Sequence, residues 1–242
     1  MSRTRSCPSR NRGRCTRPSR PWTPQSATLS CPAPATTRGT RPTRRPASPS
    51  GSSSRGSDDR VGWLRRLADA LPARELIFVK HARGGTSLLA WAPEWDEARA
   101  ETTGNAAAGP MYPQLIELLD DLGVRDGVEF GAVFWMQGER DALFPGPAAE
   151  YFDNLRTLVT AFRRDLTDPD LPFILGLANP SPERYTELAV VQAAQRHAAA
   201  EIAGVHLVDT AGLTKHDDAV HYDTGGILEL GRRFAETYLA VR

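Results

Sequence analysis

Cysteine is scarce and poorly placed for structure. The 242-residue chain has three, Cys7, Cys15 and Cys31, all in its first sixty residues and at unpatterned spacings. That number and spacing argue against both a disulfide framework and a zinc site, and residues 61–242 have no cysteine at all. Long apolar runs are also lacking. No stretch reaches the roughly 18 residues a transmembrane helix needs, so no membrane span is expected. The N-terminus is basic but has no apolar h-region, so it does not read as a secretory signal, and the cytoplasm is the default compartment.

The first sixty residues lack nearly everything a core requires. They contain one member of the Ile/Leu/Val/Phe set, Leu29, against nine Pro and twelve Ser. Such a segment cannot bury enough apolar surface to offset the entropy of ordering, and disorder is the expectation. Its charge is one-sided, with thirteen Arg, no Lys and two Asp. The overall net charge of +1 therefore hides a remainder that is about ten charges negative. Three readings of the segment compete: an arginine-rich arm for nucleic acid, a solvated tail, and translation out of frame. The third is preferred, and nucleic acid is not expected as a partner.

Residues 61–242 have the composition of one α/β domain of ordinary size. Val61, Leu64, Leu67, Ala68 and Leu71 recur at helical spacing up to Pro72. Leu76–Val79 reads as a short buried strand. Pro110 starts a helix with Leu115, Ile116, Leu118, Leu119 and Leu122 on its apolar face, ended by Gly123. Phe130 to Met136 reads as a strand buried on both faces. Pro147 begins a longer helix carrying Tyr151, Leu155, Leu158, Val159 and Phe162. Phe173–Leu177 is a strand, Glu183 to about Ala203 a helix, and Val205–Val208 a strand. Asp223 or Thr224 caps a last helix, Gly225–Leu239. This alternation predicts a parallel sheet with helices on both faces, whose ligands bind outside the carboxyl ends of the strands.

Polar residues that no buried strand favours gather at those ends. Asp218 and His221 are three apart, a spacing at which a carboxylate can hold the imidazole Nδ1–H and leave Nε2 as a general base. Asp217 and Asp223 compete for the same role. Gly84 and Gly85 let backbone N–H groups approach an oxyanion, and Thr86 and Ser87 follow. Ser87 has to be weighed as a nucleophile, but its loop has no sign of a strained elbow. Gln137 and Glu139 alternate, so both face one way in extended chain; the amide suits an oxyanion and the carboxylate suits orienting a base. His81, Glu139, Asp218 and His221 match no metal-ligand spacing, and no cofactor is expected. His197 and His206 read as structural.

Three segments in order carry a family resemblance: W-x-Q-G-E-x-D at Trp135 to Asp141, K-x-A-x-G-G-T-S-L at Lys80 to Leu88, and D-x-x-H at Asp218 and His221. A G-x-x-x-L-G-x-R-x-A helix follows the last, through Gly226, Leu230, Gly231, Arg233 and Ala235. Residues from roughly 61 to 242 resemble the SGNH hydrolases, in their sialate O-acetylesterase-like branch near the carbohydrate acetylesterases. The resemblance implies a three-layer α/β/α domain with a flavodoxin-like parallel sheet and a Ser-His-Asp mechanism on acetylated carbohydrate. It implies His221 as base and Asp218 as orienter, with Glu139 a second candidate for supporting the histidine. Gly84 or Gly85 and Gln137 are implied to line the oxyanion hole.

The family's first block, a strand followed by G-Q-S-N, is missing. Gln25-Ser26 has the dipeptide but neither the strand nor the Asn. The domain is therefore expected to lack its first strand and its nucleophile, and to be inactive as written. A central slot in the sheet should be left open. Out-of-frame translation would explain the loss: a start codon followed by AGT CGA AC, for Ser2, Arg3 and Thr4, re-reads as Glu-Ser-Asn. The alternative is a non-catalytic sugar-binding pseudoenzyme with an arginine-rich nucleic-acid arm.

Overall fold

The computed structural model describes residues 62–125 and 127–242. The expectations of a disordered or out-of-frame first sixty residues fall outside them.

Helix α1 spans Gly62–Ala70, α2 Glu97–Glu101 and α3 Met111–Asp121. Strand β1 is Val133–Met136, followed by α4 at Pro145–Ala149 and α5 at Tyr151–Asp165. Then come β2 at Phe173–Gly176, α6 at Leu188–Glu201, β3 at Val205–Val208 and α7 at Thr224–Val241. The three strands form one sheet in the order β1-β2-β3. All are parallel and in register, with Val133 beside Phe173 and Phe173 beside Val205.

Strand side chains alternate between the two faces of this sheet, and each face has its own helices. Trp135, Phe173, Leu175 and Val205 join the main core with Leu155, Leu158 and Phe162 of α5 and Val191 and Ala198 of α6. Ile174 and Val208 point the other way, onto Phe234, with Phe134, Met136, Leu230 and Tyr238 around them. The result is the expected three-layer α/β/α arrangement. Each fully buried Leu or Phe here contributes about 1.5–3 kcal/mol relative to exposure, so β2, with all four residues buried, anchors the sheet.

Helix boundaries follow local chemistry. Asp223 caps α7, its side chain accepting the Gly226 N–H at 2.8 Å. Gly231 is where α7 meets α1; a Cβ there would lie 2.7 Å from the Trp63 ring. The helix expected from Pro147 begins at Pro145 and is broken at Glu150 into α4 and α5.

Two expectations fail together. Leu76–Val79 is not a strand: it pairs with no ladder, and Ile77 is 44% exposed. The Phe130–Met136 run is a strand only over Val133–Met136, and of those four only Trp135 is fully buried. A strand buried on both faces needs neighbours on both sides. Among the described residues β1 has one neighbour, β2, so it is an edge. No helix of the described residues is long and apolar enough to cross a membrane.

Candidate active site

The carboxyl end of β1 is tied to the loop that precedes α2 by a buried polar knot. Gln137 Nε2 donates to the Thr86 carbonyl at 2.9 Å and to Asp141 Oδ2 at 2.5 Å. The carboxylate of Asp141 also receives the Leu88 N–H, at 3.3 and 3.2 Å from its two oxygens. Tyr151 donates its hydroxyl to the Gln137 carbonyl at 3.0 Å, and Gln195 Nε2 donates to the same oxygen at 2.9 Å. Gln195 in turn accepts the Ala178 N–H at the end of β2. Asp141 is fully buried, and that desolvation outweighs the donors from Gln137, Leu88 and its own N–H and pushes its carboxyl up to about 7.

Gly138 makes this crossing possible. Its φ is +146°, and a Cβ would stand 2.8 Å from the Ala178 Cβ and 3.1 Å from Val191 Cγ1. Only glycine lets the chain leave β1 this close to β2 and α6.

The knot reassigns two of the expected site residues. Both N–H groups of Gln137 are occupied, and the Thr86 carbonyl fixes which end of the amide is the donor. In this arrangement Gln137 braces two loops and has no hydrogen left for an oxyanion. Ser87 is wholly buried. It caps the short helical turn at Leu88–Trp91 through the Leu89 N–H, and its hydroxyl lies 3.0 Å from Thr103 Oγ1. Thr86 is also buried, with its hydroxyl donated to the Arg83 carbonyl. Gly84 and Gly85 are exposed and have open space above them, and Gly85 has a φ of +71°.

Asp218 and His221 lie in a tight hairpin closed by a bridge between Lys215 and Tyr222. The His216 N–H meets the His221 carbonyl at 2.9 Å. Asp218 organises the turn with one oxygen, which accepts the Val220 and His221 N–H groups at 2.9 Å each. Its other oxygen lies 2.6 Å from His221 Nδ1. The imidazole holds the Asp218 carboxyl well below the usual range, and the two backbone donors add to that. Neither Asp217 nor Asp223 takes this role: Asp223 caps α7 and accepts Thr214 Oγ1 at 2.6 Å. The imidazole is 77% exposed, and among the described residues its ring bond is to Asp218 alone.

The turn contains one strained residue, Ala219, at a φ of 54°. Ala219→Gly should raise stability by roughly 0.5–1 kcal/mol, since glycine adopts that φ without the Cβ clash. A thermal melt that is unchanged or lowered would contradict this.

Burial raises the Glu139 carboxyl, while its own N–H and the charges of His221 and Lys215 pull in the other direction. Gln137, Asp141, Thr86 and Leu88 are thus brought together by hydrogen bonds, and no hydrogen bond among the described residues joins Glu139 to His221. No hydrogen bond among the described residues joins His221 to Gln137 or to Gly84 and Gly85. The same holds for metal sites: among the described residues no three His, Cys, Asp or Glu side chains cluster to hold an ion.

Asp141, Gln195 and Tyr151 were not singled out as site residues from sequence. Gln195 left a trace there, because it falls four residues after Val191 on the apolar face of α6. A glutamine on that face needs a buried partner.

A family model for carbohydrate esterases described as sialic acid-specific acetylesterase matches residues 48–240, beginning ahead of the expected join at residue 61. The Arabidopsis thaliana protein named "Probable carbohydrate esterase At4g34215" is 28% identical over 159 residues, which is 66% of this chain and 54% of that protein. Its crystal structure superimposes with a TM-score of 0.54 at 29% identity, over 66% of this chain and 59% of that one. A carbohydrate acetylesterase from Xanthomonas citri shares the fold, with a TM-score of 0.58 at 19% identity over 75% of this chain and 40% of that one. The chain therefore spans about half the length of these relatives. On the extent of the family match, this protein belongs to the carbohydrate esterases of the sialic acid-specific acetylesterase family.

Proposed function

We propose that residues 61–242 carry the acid–base machinery of a carbohydrate O-acetylesterase whose serine nucleophile is not among them. His221 is the base and Asp218 its orienter. Glu139 is the second carboxylate beside the imidazole. The backbone N–H groups of Gly84 and Gly85 face the oxyanion, with Thr86, Ser87, Gln137 and Asp141 holding that loop in place. The observation that carries the proposal is the 2.6 Å contact of His221 Nδ1 with Asp218, on an imidazole that is otherwise open to solvent. A carboxylate on Nδ1 fixes the tautomer that leaves Nε2 free to take a proton.

In the complete reaction a serine Oγ attacks the acetyl carbonyl, and its proton passes to His221 Nε2. The tetrahedral intermediate collapses to acetyl-serine, and the departing sugar oxygen takes the proton back. Water then repeats the sequence and releases acetate. The body offers two serines, Ser87 and Ser181. Ser87 has no exposed surface, and Ser181 is bonded to Glu183.

The chain and its His221→Ala variant should therefore hydrolyse p-nitrophenyl acetate at the same slow rate. Saturable hydrolysis that collapses in the variant would mean that a serine in the chain serves, and would overturn the missing-nucleophile reading. Absence of hydrolysis together with salt-dependent RNA binding would favour the sugar-binding pseudoenzyme with an arginine-rich arm.

A further inference from the structure

The hairpin that carries Asp218 and His221 is bonded mostly to itself. Thr214 pairs with Asp223, His216 with His221 and Asp218 with His221, all within ten residues. His216, Asp217, Asp218 and His221 are exposed, and Val220 packs against the main core. Such local bonds define the shape of the hairpin but not where it sits on the sheet.

One side chain makes that connection. Lys215 donates its ammonium to the carbonyl of Asn179, 36 residues away and just past the carboxyl end of β2. The same ammonium stands 5.8 Å from the centre of the Tyr222 ring, its partner in the bridge that closes the hairpin. Lys215 is half-buried, so both contacts are partly shielded from water and gain strength from it. A charged donor also binds a carbonyl more strongly than a neutral one.

A second observation points to the same side chain. Burial raises the Glu139 carboxyl, and the charge of Lys215 is among those that oppose it. Tyr222 is raised chiefly by burial and further by Glu139. Lys215 thus acts on residue 139 after β1, on residue 179 after β2 and on the hairpin.

We propose that Lys215 is a positioning residue of this site, clamping the His221 hairpin to the carboxyl end of β2 and bringing one positive charge to bear on both the hairpin and Glu139. It acts through these groups and needs no contact with substrate. That the clamp serves ester hydrolysis rests on the acetylesterase reading; the clamp itself rests on the contacts of Lys215 alone.

Nuclear magnetic resonance on the full chain tests it. Lys215→Met keeps the stem and removes donors and charge, whereas Lys215→Arg keeps both. Backbone order parameters at residues 216–221 should lie near about 0.85 in the wild type and fall below about 0.6 in Lys215→Met, with those of α7 unchanged. The Glu139 carboxyl, followed by its side-chain carbon shift, should titrate at least about 0.5 higher on the pH scale in Lys215→Met, because a cation that favours its ionised form is gone. Asp141, Tyr151 and Tyr222, which also feel Glu139, are the same in every variant. Lys215→Arg should restore both readings. If Lys215→Met does not fold, Lys215→Gln removes the charge and should move Glu139 in the same direction. Unchanged order parameters in the charge-removing variant would overturn the proposal. So would a loosened hairpin with an unmoved Glu139, which is what a merely structural lysine would give, or failure of Lys215→Arg to restore either reading. Neither readout needs turnover, so a negative result here is distinct from one in the p-nitrophenyl acetate assay, which bears on the acetylesterase reading.

Discussion

Between about pH 4 and pH 7 Asp141 should make the domain less stable as pH rises, in contrast to the usual behaviour of a carboxylate. Its carboxyl sits at about 7 in the folded protein, raised by burial, against about 3.9 in an unfolded chain. Across that interval the folded state holds a proton that the unfolded state has released. Stability from this group is thus fully present below about pH 4 and is lost as pH rises through about 7. A shift of about three units corresponds to about 4 kcal/mol, a large share of the 5–15 kcal/mol that holds a domain together.

Two other buried groups with shifted titration define the control. Glu139 is raised by burial too and acts in the same sense, and the negative charge of Glu139 adds to the shift on Asp141. His81 is lowered by burial and acts in the opposite sense. Asp141→Asn removes only the Asp141 contribution and leaves an oxygen for the Leu88 N–H. Urea unfolding at pH 5, 6, 7 and 8 should show the wild type losing about 2.6 kcal/mol relative to the variant across the series, the part of the shift that falls above pH 5. Parallel profiles for the two proteins would contradict the assignment.

Gly138→Ala should be strongly destabilising. The added Cβ meets Ala178, Val191 and Gln195 Nε2 at 2.8, 3.1 and 3.3 Å, and none of the three is the far end of a free side chain. Overpacking of this kind costs about 1–3 kcal/mol. Holding an alanine at a φ of +146° costs roughly another 1–3 kcal/mol. The combined loss of roughly 2–6 kcal/mol is a large share of the 5–15 kcal/mol that holds a domain together. Circular dichroism and a urea midpoint report it directly. A midpoint within about 0.5 kcal/mol of wild type would show that the turn after β1 can relax, and that the glycine of Q-G-E is there for another reason.

What was legible in the sequence was what local chemistry determines. The apolar face of α5 appears as Tyr151, Leu155, Leu158, Val159 and Phe162, and all five are buried. Asp223 was recognisable as a cap because capping acts over three residues. Asp218 and His221 were paired on spacing alone, and the hairpin that holds them is equally local. The failures involve partners distant in the chain. Leu76–Val79 has the composition of a strand, but strand identity requires a neighbour, and among the described residues it has no ladder partner. Gln137 was expected to face an oxyanion because its amide suits one. Its actual partners, Thr86 and Asp141, are fixed by how two loops meet. Asp141 stands among the polar residues after the strand and ends the W-x-Q-G-E-x-D motif, but a fully buried aspartate and an exposed one look the same in a sequence.

The claim on which the rest depends is that His221, Asp218 and Glu139 form an esterase site to which this chain brings no serine. Labelling with a fluorophosphonate, followed by mass spectrometry of the tryptic peptides, tests it most directly. The expected result is no His221-dependent labelling of any serine in the chain alone. A stoichiometric adduct on Ser87 or Ser181 that disappears in His221→Ala would contradict it.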